Sequence, residues 1–376
     1  MRQEIAWSNA RSENDAVKEL VSKINVGSKP ILVMFFASVQ YDFELLSKLI
    51  KEKFPTSEVV GVSTAGEICD KGFVKNSVLL TTMIDDRTTV KGVLVPEGQK
   101  IPYLYKDRIE SAMRACSITP GGKHEDSFAI SFINGLCNAE ECLLSLIYAL
   151  IKDDNFRIMG GTAGDDLKFK TTYVSLNGEV VTDGGVFVFV KTKRAFTIEK
   201  ENIFKESGKT VKISEVSTRK RILKTINGKP AASEYARILG ISESEIGNAS
   251  LMHPIGRIFG DNIYISSIVN VNPDKSFNMY CRVIPNTKAD IMDKGDAKAI
   301  MESTCDAIDN KISKPGFIFF VNCILRTLAF EKTDEGRYLA DLYNKRYGKV
   351  AGFSSYGEQI GRVNSNQTLV VLAMEE

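Results

Sequence analysis

The chain has 376 residues, of which 43% are hydrophobic and 26% charged, and its formal net charge is +2 at pH 7. This composition is typical of a globular protein with two or three domains, each large enough for its own core. The small net charge excludes a general attraction to nucleic acid, and no apolar run approaches the roughly 20 residues that span a bilayer. We therefore expect neither a nucleic-acid partner nor membrane insertion.

The cysteines indicate a reducing compartment. There are seven, they are scattered along the chain, and none forms a Cys-x-x-Cys pair. In such a pattern thiols serve as small apolar residues, as they do in cytoplasmic proteins. The first residues also lack the apolar stretch of a secretory signal. The sequence thus predicts a soluble, cytoplasmic protein.

A β-α-β pattern recurs three times. Each copy has a continuous apolar run typical of a buried strand, an amphipathic helical segment and a second short strand. The copies comprise residues 31–37, 42–54 and 59–62, then 128–133, 139–151 and 156–159, then 316–321, 335–347 and 350–351. A further apolar strand follows each copy, at residues 77–84, 184–190 and 368–374. Because a helix connects the two strands of each copy, we expect those strands to be parallel.

A similar phrase closes each copy, at the carboxyl end of its second strand. The first phrase is residues 61–67 (GVSTAGE), the second is residues 159–165 (MGGTAGD) and the third is residues 352–358 (GFSSYGE). Such reuse indicates a repeated structural device. The fold class that follows is mixed α/β, with repeated β-α-β-β units whose mixed sheets are covered by helices.

The segment between the second and third copies has a different character. Residues 192–225 are rich in lysine and arginine, but Glu199, Glu201, Glu206 and Glu215 are interspersed among them. That mixture is typical of solvated edge strands and argues against an RNA-binding surface. Residues 262–269 and 277–283 have the pattern of an antiparallel hairpin. We expect a domain boundary near residue 205.

The order of these phrases resembles the FIST family. Residues 61–67 and 160–165 look like its N-terminal half, and residues 322–326 (NCILR), 352–359 and 366–368 look like its C-terminal half. The resemblance implies an N-terminal extension at residues 1–29, a FIST N domain at residues 30–205 and a FIST C domain at residues 206–376. It also implies a bacterial sensory protein that binds a small ligand, usually suggested to be an amino acid. The signal would pass to a separate histidine kinase, cyclic-dinucleotide enzyme or chemoreceptor-like protein.

The phrases are also the candidate ligand site, because ligands of open α/β sheets bind outside the carboxyl ends of parallel strands. An arginine there can hold a carboxylate in a two-pronged contact, and carboxylates can hold an amine. The predicted ligand contacts are Arg326, Ser354, Ser355, Tyr356, Glu358, Asn322, Cys323 and Asn366. Secondary candidates are Ser63, Thr64, Glu67, Thr162 and Asp165. The alternative is a scaffold in which the glycines permit turns and the hydroxyls bond the turns' own backbone.

Two other functions remain open at this point. Some members of the resembled family bind haem and respond to nitric oxide, and His253 could be an axial ligand, although a packed or surface histidine before Pro254 is the simpler interpretation. Cys323 and Cys137 follow strand ends and could be nucleophiles, although only two histidines exist to activate them. We expect no catalytic activity, no metal and no cofactor, with haem as the alternative.

Overall fold

The computed structural model describes residues 1–260, 262–331 and 333–376 and consists of three units of one design. The first unit comprises β1 (Arg2–Ser8), α1 (Glu13–Ser22), β2 (Leu32–Ala37), α2 (Phe43–Lys53), β3 (Glu58–Ser63), β4 (Glu67–Cys69), β5 (Gly72–Val74) and β6 (Val78–Ile84). The second comprises β7 (Thr88–Pro96), α3 (Lys106–Ala115), β8 (Ser127–Asn134), α4 (Glu140–Ile151), β9 (Arg157–Ala163), β10 (Val174–Leu176), β11 (Glu179–Val181) and β12 (Gly184–Thr192).

The third unit is interrupted by an inserted region, residues 203–296. It begins with β13 (Phe196–Asn202). The inserted region contains β14 (Phe204–Lys205), β15 (Thr210–Ile213), β16 (Val216–Ser217), β17 (Ile222–Leu223), β18 (Thr225–Ile226), β19 (Lys229–Pro230), α5 (Ala231–Leu239), α6 (Ile246–Met252), β20 (Ile255–Phe259), β21 (Asn262–Ser266), β22 (Ile268–Val271), β23 (Phe277–Met279), β24 (Thr287–Ile291) and β25 (Asp293–Lys294). The unit resumes with α7 (Ala297–Lys311), β26 (Pro315–Cys323), α8 (Ile324–Phe330), α9 (Glu335–Tyr347), β27 (Gly352–Ser355), β28 (Glu358–Ile360), β29 (Val363–Ser365) and β30 (Thr368–Glu375).

Each unit provides the first four strands of a six-stranded mixed sheet. The sheet orders are β1-β6-β2-β3-β10-β11, β7-β12-β8-β9-β28-β29 and β13-β30-β26-β27-β4-β5. In each sheet the two strands joined by a helix are parallel, namely β2 with β3, β8 with β9 and β26 with β27. The predicted mixed α/β fold and its three parallel pairs are therefore confirmed.

The hairpin that follows each phrase pairs with the sheet of a neighbouring unit. β4–β5 of the first unit completes the third sheet, β10–β11 of the second completes the first sheet, and β28–β29 of the third completes the second sheet. This cyclic exchange arranges the units around a pseudo-three-fold axis. It also brings the three phrases together, because every phrase leads directly from one sheet to the next.

The core lies on the faces that the three sheets turn toward one another. Phe36 of β2 packs against Phe132 of β8, Phe319 of β26 and Phe353 of β27, with ring centroids 4.8–5.8 Å apart. The opposite faces are covered by α1 and α2, by α3 and α4, and by α7 and α9, respectively. Since both faces are buried, the central strands consist of unbroken apolar runs rather than alternating ones. Within the described residues, no helix has the length and apolarity needed to cross a membrane.

The inserted region docks on the second unit through a buried ion-pair cluster. Arg221 donates to Glu140 Oε2 (2.5 Å) and Glu141 Oε2 (2.6 Å) at the start of α4, and to Asn138 Oδ1 (2.8 Å). Arg221 and Glu140 are each less than 5% exposed. Burial raises the pKa of Glu140, and Arg221 opposes that rise. Only a paired charge is tolerated at such depth, so this cluster fixes the inserted region against α4.

Two parts of the structure differ from what the sequence predicts. The predicted hairpin of residues 262–269 and 277–283 is wrong in its first strand, since β21 pairs with β20, and the hairpin is β22 with β23. The chain changes sheet at Ser267, whose amide donates to Asn366 Oδ1 (3.3 Å) outside the inserted region. β1 and α1, within the predicted N-terminal extension, belong to the first sheet and its helical cover. The domain limits near residues 30 and 205 stay predictions.

Candidate functional site

The three phrases form a closed ring around the pseudo-three-fold axis. Backbone hydrogen bonds join each neighbouring pair. Equivalent bonds at the three junctions run from Ala65 N to Ser354 O (3.0 Å), from Gly164 N to Ser63 O (2.9 Å) and from Tyr356 N to Thr162 O (3.3 Å). All six residues are buried. The ring is therefore an internal structural joint, and the main role of the phrase residues in the fold is to hold the three units together.

The second phrase is offset by one residue from the other two. In the parallel pairs, Gly61 lies opposite Phe35, Gly160 opposite Ser131 and Gly352 opposite Phe320. A Cβ at any of these glycines would lie within 2.5 Å of the facing strand, so the three are structurally equivalent. In the sheets, Glu67 lies opposite Phe353 and Glu358 opposite Gly161, each one residue past such a glycine, and the corresponding place opposite Val62 is occupied by Val174. The second unit therefore has no carboxylate at this place, because residues 166–173 form an extra loop before β10, and Asp165 is not the equivalent of the two glutamates.

Glu67 and Glu358 are fully buried carboxyls that bond to hydroxyls of their own units. Glu67 accepts from Thr64 Oγ1 (2.5 Å) and from Ser77 Oγ. Glu358 accepts from Ser355 Oγ (2.5 Å) and Thr368 Oγ1 (2.8 Å). Burial raises the pKa of Glu67 to about 8 and that of Glu358 to about 7, although the hydroxyl donors oppose the rise. The two glutamates are thus held near the point where they change charge in the physiological range.

Asp165 instead holds a strained surface loop. Its carboxylate accepts from the backbone amides of Phe169 (2.9 Å), Lys170 (2.6 Å) and Thr171 (3.0 Å) and from Tyr356 Oη (2.5 Å). Three non-glycine residues of this loop have left-handed backbone conformations, with φ of 53° at Asp166, 61° at Leu167 and 51° at Phe169. Such conformations persist only where surrounding contacts fix them.

The eight predicted ligand contacts are all buried, with exposures of 5% or less. Most of their polar atoms bond to other protein atoms. Asn322 Nδ2 donates to Thr327 Oγ1 (3.0 Å), whose oxygen also bonds Ser354 Oγ (2.9 Å), and Asn366 Nδ2 donates to Tyr356 O (3.4 Å). The structure therefore brings these residues together around the third phrase, in a closed network with few free groups. Their contact with a ligand stays a prediction.

Arg326 is the exception, because its bonding is incomplete. It lies on α8, with Nε donating to Asn322 Oδ1 (3.0 Å) and Nη2 donating to Glu201 Oε1. Its guanidinium also lies 5.4 Å from the ring centre of Phe330. Both side chains of the ion pair have 0% exposure. Yet Arg326 Nη1 and Glu201 Oε2 have no hydrogen-bond partner among the described residues, and neither does the buried hydroxyl of Tyr343 on α9.

Glu201 lines a cleft of about 350 Å³, here called the Glu201 cleft. One wall is formed by β13 and α7 and the other by β21 of the inserted region. Its lining residues are Glu199, Lys200, Glu201, Asn202, Asn262, Ile263, Ile300, Ser303, Thr304 and Ala307. Lys200 Nζ donates to Ile263 O (3.0 Å), and burial lowers its pKa. Arg326 does not line this cleft and both side chains of the pair are 0% exposed, so their unbonded atoms lie beneath the cleft wall. An incompletely bonded, oppositely charged pair at that place is a candidate partner for a small polar molecule that enters the cleft.

Two larger clefts lie near the phrases. The α2 cleft, about 490 Å³, lies between the N-terminus of α2 and the Asp165 loop and is lined by Val39, Tyr41, Asp42, Phe43, Glu44, Asp165, Lys168, Lys170, Thr171 and Tyr173. The α9 cleft, about 600 Å³, lies between the β4–β5 turn and the start of α9 and is lined by Asp70, Lys71, Gly72, Phe73, Thr327, Phe330, Glu331, Gly336, Arg337 and Asp341. Thr327 is the point at which the third-phrase network reaches a cleft.

The two candidate cysteines lie in environments that disfavour a thiolate. Cys323 is fully buried, and its burial, together with the nearby charge of Glu358, raises its pKa well above the usual value. Burial raises the pKa of Cys137 to about 12, and its thiol donates to Asn134 O (3.1 Å). Both histidines are engaged elsewhere, His124 with Asp153 and His253 with Asp293. A nucleophilic thiol needs a lowered pKa or an adjacent base. Neither thiol has a lowered pKa or a neighbouring histidine, and the group within hydrogen-bonding range of Cys323 is the carboxyl of Glu358.

The surroundings of His253 do not fit a haem. Its side chain is 37% exposed, and Nδ1 lies 3.0 Å from Asp293 Oδ1 and 3.2 Å from Met292 O. A haem site needs an apolar pocket that covers the macrocycle, whereas none of the clefts described above includes His253. Among the described residues, no group of three or more His, Cys, Asp or Glu side chains is arranged to hold a metal ion.

Comparison with known proteins agrees with this architecture. The FIST N domain matches residues 31–229 of this chain, and the FIST C domain matches residues 231–361. The chain therefore belongs to the FIST family, whose domains are sensor domains of signalling proteins. One relative, an uncharacterized protein of Methanocaldococcus jannaschii, is 21% identical over an alignment of 375 positions, and the alignment covers 90% of this chain and 72% of the relative.

Sequence reasoning missed Glu201 and Tyr343. Glu201 was assigned to a solvated edge strand because lysines and arginines surround it. The available signal was its alternation along β13 with Thr197 and Glu199, which predicts a shared face. The aligned phrases also group Asp165 with the two glutamates, because the shared Gly-Asp and Gly-Glu endings hide the extra loop before β10.

Proposed function

We propose that this FIST protein is a sensor that binds a small zwitterionic metabolite, an amino acid or a similar polar molecule, in the Glu201 cleft. The observation that carries the proposal is the Arg326–Glu201 pair, in which two opposite charges are both fully buried and each partner retains one unbonded atom. A buried polar atom without a partner costs about 1–3 kcal/mol. A ligand that bonds both atoms removes both costs.

The chemistry of the two atoms selects the ligand class. Arg326 Nη1 is a donor with a positive charge and takes a carboxylate oxygen. Glu201 Oε2 is an acceptor on a carboxylate and takes an ammonium group. The hydroxyl of Tyr343 can donate to either a carboxylate or a water. A molecule with one amine and one carboxylate matches this set, whereas a simple anion or cation leaves one partner unbonded.

The walls of the cleft suggest how occupancy becomes a signal. β13 and α7 belong to the third unit, whereas Asn262 and Ile263 belong to the inserted region. A bound ligand would contact both bodies and change the free energy with which they dock. The proposal includes a separate output protein, for which a histidine kinase, a cyclic-dinucleotide enzyme or a chemoreceptor-like protein are the candidates. It also includes a cytoplasmic location, supported by seven cysteines that are all free thiols.

The test is thermal unfolding and calorimetry against a panel of amino acids and related zwitterions. A ligand at 100 times its Kd stabilises the protein by about 2.7 kcal/mol, which is readily measured. The variant is the double substitution Arg326→Met/Glu201→Leu, because removing both charges is tolerated far better than removing one. We expect the wild type to respond to a zwitterion and the double variant to fold without responding.

Glu358→Gln is the matched control, because it changes a fully buried carboxyl in the third phrase and leaves Arg326 and Glu201 intact. It should keep the response. If Glu358→Gln loses the response and the double variant keeps it, the ligand site is the third phrase and the Glu201 cleft is the wrong assignment. If no zwitterion shifts unfolding of the wild type, the proposed ligand class is wrong.

A further inference from the structure

The α2 cleft is bordered by exposed apolar side chains on both sides. Phe169 is 50% exposed and Leu167 is 36% exposed on the Asp165 loop, while Leu45 is 37% exposed on α2, next to the cleft residue Glu44. Single exposed apolar residues are ordinary on a protein surface. Here they are gathered around one concave feature, at the carboxyl end of the first sheet, and together they form a candidate contact surface.

The loop side of this surface is held rigid. Four hydrogen bonds to Asp165 fix the loop, and Tyr356 Oη also accepts from Leu167 N (2.9 Å). The ring of Phe169 stacks on that of Tyr356, with centroids 5.2 Å apart, so one of its faces is held outward. Association through a preorganised loop loses little conformational entropy, which favours binding.

The charges of the two sides are opposite. The loop carries Lys168 and Lys170, and the start of α2 carries Asp42 and Glu44, all four of which line the α2 cleft. Lys168 approaches Asp166 at 3.9 Å, a weak contact. Lys170 and Glu44 have no ion-pair partner within the part of the chain that the structure describes. Asp165 and Asp166 lie on the same loop, but Asp165 is 1% exposed and Asp166 accepts from Ser38 Oγ (2.8 Å), so the exposed charges of the loop side are the two lysines. The surface therefore has one side with exposed lysines and apolar groups and one side with exposed carboxylates and an apolar group, separated by the cleft.

We propose that two copies of this chain associate through this surface, about a two-fold axis that runs along the α2 cleft. Such an axis places the loop of each copy opposite the start of α2 of the other, because a two-fold interface uses the same patch twice. Lys168 and Lys170 then face Asp42 and Glu44 of the second copy, and Phe169 and Leu167 face its Leu45. The self-complementary arrangement of charge and apolar area selects a second copy as the occupant, in preference to an unrelated protein.

The test is the mass in solution, measured by light scattering and sedimentation over a range of protein concentrations. We expect the wild type to reach twice the mass of one chain as concentration rises. Phe169→Ser should raise the dimer Kd about tenfold or more, because a central aromatic anchor is lost. Phe259→Ser, at an aromatic residue of similar exposure in the inserted region, should leave the Kd unchanged.

Charge reversal tests the geometry without touching the apolar contacts. Lys168→Glu/Lys170→Glu makes both sides acidic, and Glu44→Lys reduces the acidic side, so each variant alone should dimerise more weakly than the wild type. Mixed together, the two variants should form a heterodimer tighter than either homodimer. One of its two contacts keeps the wild-type charges on both sides, and the other sets the acidic loop against an α2 start that is no longer acidic overall. Lys345→Glu on α9 is the charge control and should change nothing.

A wild type that stays a monomer at every concentration overturns the proposal. So does a dimer whose Kd responds equally to Phe169→Ser and Phe259→Ser, or a mixture that forms no heterodimer. Far-ultraviolet circular dichroism of each variant separates loss of association from loss of folding.

Discussion

Tyr356 donates its phenolic proton to Asp165 across the joint between the second and third phrases, at 2.5 Å. The same oxygen accepts from Leu167 N, so one hydroxyl of the third unit organises a loop of the second. The counterparts of Tyr356 at the other two junctions are Ala65 and Gly164, so the tyrosine is what distinguishes the third phrase. Its role in the structure is to fix the left-handed backbone of residues 166, 167 and 169.

Replacing Tyr356 with Phe should therefore cost more than the loss of one ordinary hydrogen bond. The ring and its stack with Phe169 remain, but Asp165 loses a donor and Leu167 N loses its acceptor. We expect a loss of about 1–3 kcal/mol in the free energy of unfolding. The control is Tyr235→Phe, which removes a single bond to His253 O (2.6 Å). Urea unfolding measures both, and an equal or larger loss in the control would contradict this role.

The two buried glutamates should make stability depend on pH. Their pKa values in the folded protein, about 8 for Glu67 and about 7 for Glu358, lie above the ordinary 4.5. Each carboxyl has a higher pKa in the folded protein than in the unfolded chain. Its contribution to stability is complete at a pH below the unfolded-state pKa and is lost as pH rises through the folded-state pKa. Between the unfolded-state and the folded-state pKa, each glutamate lowers the free energy of unfolding by about 1.4 kcal/mol per pH unit.

Glu67→Gln removes this cost and should be more stable than the wild type at pH 9, with the advantage shrinking toward pH 5. The measurement is the difference in unfolding free energy between wild type and variant across that range, which cancels the titration of other groups. A difference that does not change with pH would show that Glu67 is ionised throughout.

Arg221 should be among the most sensitive positions of the inserted region. Arg221→Ala leaves Glu140 buried without its cation, for which we expect a loss of about 3–5 kcal/mol. Arg346→Ala is the control, because Arg346 also bonds two carboxylates, Asp306 and Asp309, but at the surface of α7 and α9. It should cost no more than about 1 kcal/mol. Adding Glu140→Gln to Arg221→Ala should recover part of the loss if the unpaired charge is the cause.

Two glycines should respond in opposite directions to alanine. A Cβ at Gly160 would lie 1.9 Å from Ser131 O, a backbone atom that cannot move aside, so Gly160→Ala should destabilise by several kcal/mol or prevent folding. Gly247 lies in α6 with nothing within 4 Å of an added Cβ. Gly247→Ala should stabilise by about 0.5–1 kcal/mol. The thermal unfolding midpoints of the two variants measure both effects. An unchanged midpoint in Gly160→Ala would contradict the structural equivalence of the three glycines.

The sequence predicts the local elements well, because their signals are local. The helix of residues 42–54 and the strand of residues 31–37 are observed as Phe43–Lys53 and Leu32–Ala37, in agreement with their apolar patterns. The hairpin exchange was not predictable in this way, since a three-residue strand such as β4 has the same pattern whichever sheet it joins. The burial of Arg326 depends on Glu201, 125 residues away, and no local pattern links such a pair.

The exchange of hairpins also constrains how the chain can fold as it is synthesised. The first sheet has all its strands once β11 ends at Val181, but the third sheet needs β27, and the second needs β28 and β29 from near residue 360. The β4–β5 hairpin, made early, has to wait for partners that emerge almost 300 residues later. The second and third sheets can therefore be completed only when the whole chain is present. A ribosome-bound fragment that ends after the second unit would expose unpaired sheet edges, to which chaperones can bind.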